Sequence, residues 1–150
     1  MNKDTKRKLQ EEIKYFQSYH ANSIKNIEFL VSNIVKDQKK TCIALTDCDL
    51  YKWLEENKIL LNQVFGPGGI GYLYDEHKEW HIESEKICTI LANDTPKGFT
   101  AKLFGKKRKI TPEEMDKVKF HLYELQEHTK QINNRFVKME RRINAIPDDS

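Results

Sequence analysis

The stretch that decides the fold is "TPEEMDKVKFHLYELQEHTKQINNRFVKMERRINAI", residues 111–146. It opens as helices often do: Thr111 is suited to cap, Pro112 to occupy the first turn, and two glutamates follow. Seam residues then recur at alternating steps of three and four: Met115, Val118, Leu122, Leu125, Thr129, Ile132, Phe136, Met139, Ile143 and Ile146. This heptad spacing predicts one long helix over 111–146, whose stripe either closes a bundle or forms a dimer contact.

Earlier parts of the chain show the same period. A helix is predicted over 4–37 from a second seam: Leu9, Ile13, Phe16, His20, Ile24, Ile27, Val31 and Ile34. A loop is predicted over 36–41, and then a short helix that Thr46 or Asp47 caps and that ends near Asn57.

The glycine-rich "FGPGGIG" at 65–71 predicts a firm break, and the helical period returns over 71–91. No strand-like alternation of any length occurs. The chain, 150 residues long, is therefore predicted to be a single all-α domain over 1–150. Its architecture is an antiparallel four-helix bundle with an additional short helix and a long C-terminal helix.

Charge and hydropathy narrow the functional classes. The net charge of +3 favours no particular partner. No apolar run approaches the roughly 20 residues that cross a bilayer, and the N-terminus lacks the apolar core of a signal peptide, so we expect a cytoplasmic protein without membrane insertion. The basic segment 97–109 is more typical of a solvated loop than of a nucleic-acid site. Because Cys42, Cys48 and Cys88 are odd in number, free thiols or a metal ligand are expected rather than a disulfide framework.

Four residues are candidate metal ligands. His77 and His81, in "HKEWH", lie one turn apart on one helix face. His20 occupies a seam position where an apolar side chain is usual, and Cys48 begins the short helix between the two long ones. In an antiparallel bundle these side chains can converge, and three imidazoles with one thiolate make the tetrahedral shell that zinc favours. The soft sulfur argues against magnesium and calcium.

The order of these residues resembles the chemoreceptor zinc-binding (CZB) domain family. That family has a lone His, then a Cys-x-Leu-Gly-x-Trp-like motif, then a His-x-x-x-His pair, and "CDLYKW" at 48–53 matches its middle motif except that Tyr51 replaces Gly. The resemblance implies a zinc site of His20, Cys48, His77 and His81 that senses zinc or oxidants. Because no output domain follows the helical segments in this sequence, the resemblance implies a stand-alone form. Such a form would act through a signalling partner or as a homodimer.

The residues around the histidine pair disfavour other metal-dependent functions. A zinc protease would carry Glu where Lys78 or Trp80 stands, and a fourth protein ligand would close the metal to substrate, so a zinc hydrolase is disfavoured and no enzyme is expected. A di-iron bundle needs inward-facing carboxylates as Glu-x-x-His, which the chain lacks. A metal-independent helical scaffold remains the alternative. Trp53 and Trp80 are expected to pack beside the site.

Overall fold

The structure is a computed structural model that describes residues 1–32, 41–92 and 110–149. Its helices are α1 (Lys3–Val31), α2 (Asp49–Glu56), α3 (Lys58–Phe65), α4 (Pro67–Ala92) and α5 (Pro112–Ala145), with a 3-10 turn at Leu45–Asp47 before α2. These ranges contain no strand, so the all-α class is confirmed.

Cross-helix contacts give the direction of each element. Near the start of α1, Lys6 Nζ donates to Ile146 O at 2.6 Å, so α1 and α5 are antiparallel. Tyr72 and Gln131 meet near the start of α4, whereas Glu83 and His121 meet near its end, so α4 is also antiparallel to α5. The short helices α2 and α3 follow one another in the remaining position and complete the predicted bundle.

The helix predicted over 111–146 is confirmed as α5, with Thr111 as its N-cap and Ile146 as its C-cap. Thr111 accepts from Glu114 N while Glu114 accepts from Thr111 N, which makes a capping box that satisfies two otherwise unpaired amides. Most of the stripe is buried: Val118, Leu125, Thr129, Ile132, Phe136, Met139 and Ile143. Most of the stripe therefore packs in the core of the bundle.

The glycine-rich break is narrower than predicted. Only Gly66 leaves the helical region, with φ of 83°, and α4 begins at Pro67 rather than at residue 71. Proline suits the first helical turn, and the buried side chains of Ile70 and Leu73 hold that turn in the core. Tertiary packing thus outweighs the low helix propensity of three glycines.

Two further helix boundaries differ from the prediction, and one helix was not predicted. The N-cap of α2 is Cys48, because Thr46 and Asp47 form the preceding 3-10 turn. Helix α3 was not predicted. Helix α1 ends at Val31, with Ser32 as its C-cap. Residues 33–40, which hold most of the predicted loop, and the basic segment 97–109 lie outside the described residues. Within residues 1–32, 41–92 and 110–149, no helix combines the length and apolar content that a membrane span requires.

Candidate metal centre

Three helices deliver the four predicted ligands to one buried region. His20 comes from α1, Cys48 from the N-terminus of α2, and His77 and His81 from one face of α4. All four are buried, and His20 has no exposed surface. Single ligand atoms of His20, Cys48 and His77 lie within 4.8 Å of one another, so these three residues can hold a metal ion.

His81 lies against this triad through His77. Its Nε2 is 3.1 Å from His77 Nε2, and His77 Nε2 is 3.4 Å from Cys48 Sγ. In a zinc tetrahedron with ordinary bond lengths, nitrogen–nitrogen edges measure about 3.3 Å and sulfur–nitrogen edges about 3.6 Å. The two measured distances are close to these edges. His81 itself lies outside the group of ligand atoms that are all within 4.8 Å of one another.

His20 is the least satisfied member of the cluster. Neither of its ring nitrogens has a hydrogen-bond partner. The rings of His77 and Trp80 stand edge-on to it, with centroids at 4.8 and 5.0 Å. A buried polar group without a partner costs free energy, and a metal bound at the imidazole lone pair would offset that cost.

Burial keeps the three imidazoles neutral. It lowers the pKa of His20 to about 3, with a smaller contribution from His81. Burial also lowers the pKa of His77 to about 2, aided by the other two rings, and that of His81 to about 4 against an opposing hydrogen bond. Neutral imidazole is the form that binds metals, so these three histidines require no deprotonation at neutral pH.

The thiol of Cys48 is held in its neutral form. Burial raises its pKa, although the backbone amides of Tyr51 and Leu50 at the start of α2 act in the opposite direction. The hydroxyl of Tyr19 is 3.9 Å from the sulfur. Burial, followed by the neighbouring Cys48, also raises the pKa of Tyr19. A metal binding here would therefore displace a proton from Cys48.

The next layer of contacts orients His81. Its Nδ1 lies 3.1 Å from Ile43 O, and because a carbonyl only accepts, Nδ1 carries the hydrogen. The lone pair is then on Nε2, which faces His77. Metal-bound histidines commonly donate their second nitrogen in this way, which fixes both tautomer and ring orientation.

The two tryptophans differ in their distance from the site. The ring of Trp80 packs on His20 and His81, and its Nε1 donates to Thr129 Oγ1 at 2.9 Å, as expected for a residue beside the cluster. Trp53 packs instead on Phe16, with ring centroids 5.0 Å apart.

The prediction that Cys42 and Cys88 are free thiols is wrong. They form a disulfide with Cα atoms 6.0 Å apart, and the remaining cysteine, Cys48, is free and buried. An odd count leaves one cysteine unpaired but does not prevent the other two from meeting. The sequence placed Cys88, seven residues after His81, on a similar face of the helix, but it carried no signal that Cys42 would meet it there.

No protein-family model, curated protein or solved structure matches the chain.

Proposed function

We propose that this protein is a non-enzymatic, zinc-binding regulatory protein with a ligand set of His20, Cys48, His77 and His81. The observation that carries the proposal is the buried imidazole of His20. Both of its nitrogens lack a hydrogen-bond partner, and one of them lies within 4.8 Å of ligand atoms of Cys48 and His77. The combination of imidazole nitrogen and thiol sulfur favours zinc among the common divalent ions.

A sensing role follows from where the ligands are attached. Because they come from α1, α2 and α4, one ion would tie three helices together, and loss of any ligand would release the N-terminus of α2. Bound zinc would hold Cys48 as a thiolate. Attack of that thiolate on hydrogen peroxide breaks the O–O bond, forms a sulfenic acid and releases hydroxide. The oxidised sulfur would bind zinc more weakly than the thiolate does. This behaviour matches the resemblance to CZB domains.

The proposed ligand set also argues against catalytic activity. A zinc hydrolase keeps one coordination position for water and a carboxylate base nearby. Four protein ligands would fill the coordination shell. Lys78 is exposed, and Trp80 turns its indole into the core towards Thr129, so neither supplies a base.

The proposal is tested by metal content. Protein purified without added metal should carry about one zinc per chain, whereas Cys48→Ala and His77→Ala should carry close to none. His128→Ala is the matched control, because His128 lies on α5 and pairs with Glu76 outside the cluster. It should keep its zinc. Metal-free wild type, or both ligand variants at full occupancy, would exclude the proposed site.

The regulatory part needs a separate readout on the same samples. Hydrogen exchange should show that chelation speeds exchange in the first turn of α2, which Cys48 caps, and leaves the N-terminal turn of α5 unchanged. Equal hydrogen exchange in α2 with and without metal would exclude the regulatory role and would leave only metal binding.

A further inference from the structure

The Cys42–Cys88 disulfide lies next to the proposed metal centre, although neither cysteine belongs to the ligand set. Cys42 precedes Ile43, whose carbonyl accepts from His81 Nδ1. Cys88 is two helical turns beyond His81 on α4. The disulfide and the Ile43–His81 hydrogen bond therefore both connect the short segment before α2 to helix α4.

The same short segment leads directly to a ligand. Five residues separate Cys42 from Cys48, and three of them form the 3-10 turn Leu45–Asp47. Cys48 N donates to Leu45 O at 3.1 Å, so the turn continues into the start of α2. A covalent bond at Cys42 thus restrains the stretch that carries both the carbonyl facing His81 and the sulfur ligand.

The disulfide is also more accessible than the free cysteine. Cys42 and Cys88 are half-buried, whereas Cys48 is buried. An open pocket of about 490 Å³ is lined by both half-cystines together with Ile43 and His81. A reductant that enters this pocket can reach the disulfide beside His81, whereas Cys48 does not line it.

We propose that the Cys42–Cys88 disulfide is a redox control of metal affinity: when it is intact, Ile43 O holds His81 in its ligand orientation, and reduction loosens that hold. The inference rests on the proposed function. A dithiol would transfer two electrons and two protons to the disulfide, giving two cysteine thiols and its own disulfide. Loss of a partner that orients a metal-bound histidine typically weakens metal binding by about 10- to 100-fold.

The test compares zinc affinity in the two redox states of the full chain. Mass spectrometry first identifies the oxidised protein by its Cys42–Cys88 link, and a phosphine then reduces it, with water as the oxygen source for the phosphine oxide. We expect the zinc dissociation constant to rise by about 10- to 100-fold on reduction. The double variant Cys42→Ser/Cys88→Ser should match the reduced wild type and should not respond to the phosphine.

A second readout separates the proposed route from general loosening of the fold. In metal-free wild type, reduction should shift the imidazole NMR signals of His81, because its Nδ1 loses the Ile43 carbonyl, and should leave those of His128, which pairs with Glu76, unchanged. Equal zinc affinity in both redox states of wild type, or unchanged His81 signals, would overturn the inference while leaving the metal site intact. Absence of zinc binding in every state would overturn the proposed function and this inference with it.

Discussion

The five histidines of the chain form two groups that differ in the groups facing them. His20, His77 and His81 face one another, and among the described residues no carboxylate contributes to their pKa values, which burial dominates. His121 and His128, both on α5, instead place Nδ1 2.6 and 2.7 Å from a carboxylate oxygen.

Helix α4 supplies partners to both groups. His77 and His81 project into the cluster, whereas Glu76 and Glu83 reach across to His128 and His121. Each His–Glu pair joins α4 to α5. The rings of the buried group instead face one another, the Cys48 thiol and the Ile43 carbonyl, with no carboxylate partner among the described residues. The neighbours of a histidine, rather than its burial alone, thus separate the two roles.

The largest expected effect of this difference is on the pH dependence of the free energy of unfolding of the metal-free protein. Unfolded histidine binds a proton near pH 6.5, but folded His20, His77 and His81 do so only at about 3, 2 and 4. Between these values the unfolded state binds more protons, so the stabilisation present above pH 6.5 is lost as the pH falls. The free energy of unfolding should drop by about 1.4 kcal/mol per pH unit for each ring, or about 4 kcal/mol for three.

Urea unfolding in chelator between pH 7 and pH 5 measures this slope. Replacing one of the rings should remove its share, so His20→Leu should have a slope smaller by about one third. Identical slopes for wild type and variant would show that the His20 ring is not held neutral.

A pair of leucine substitutions should have effects of opposite sign. In chelated protein, His20→Leu replaces an unpartnered buried imidazole by an apolar side chain and should raise the free energy of unfolding by about 1–2 kcal/mol. His121→Leu should lower it by about 1–3 kcal/mol, because the carboxylate of Glu83, only 8% exposed, loses its closest partner. Urea midpoints at pH 7 give both values, and a common sign would contradict the division into two groups.

The smallest effect is expected at the more exposed pair. His128 and Glu76 have side-chain exposures of 21% and 20%, so solvent screens their interaction more than that of His121 and Glu83. His128→Ala should therefore cost about 1 kcal/mol or less, as measured by thermal unfolding at pH 7. A loss greater than that of His121→Leu would reverse the proposed order of the two pairs.

Sequence periodicity was sufficient where local rules decide the structure. The cap at Thr111 and the heptad stripe predicted α5 closely, and the i, i+4 spacing placed His77 and His81 on one face. The disulfide and the two His–Glu pairs could not be predicted in this way, because each joins elements that are distant in sequence. Their formation depends on the register between packed helices, which a one-dimensional pattern does not contain.

The attachment of the proposed ligands to three separate helices would also have a kinetic consequence. Cys48 and His77 are 29 residues apart, and His20 is on yet another helix, so closing these loops by metal binding alone would have a substantial entropic cost. Of the four residues, His77 and His81 alone are close in sequence. We therefore expect helix packing to precede complete capture of the proposed zinc, so that the formation of holo-protein follows collapse of the bundle.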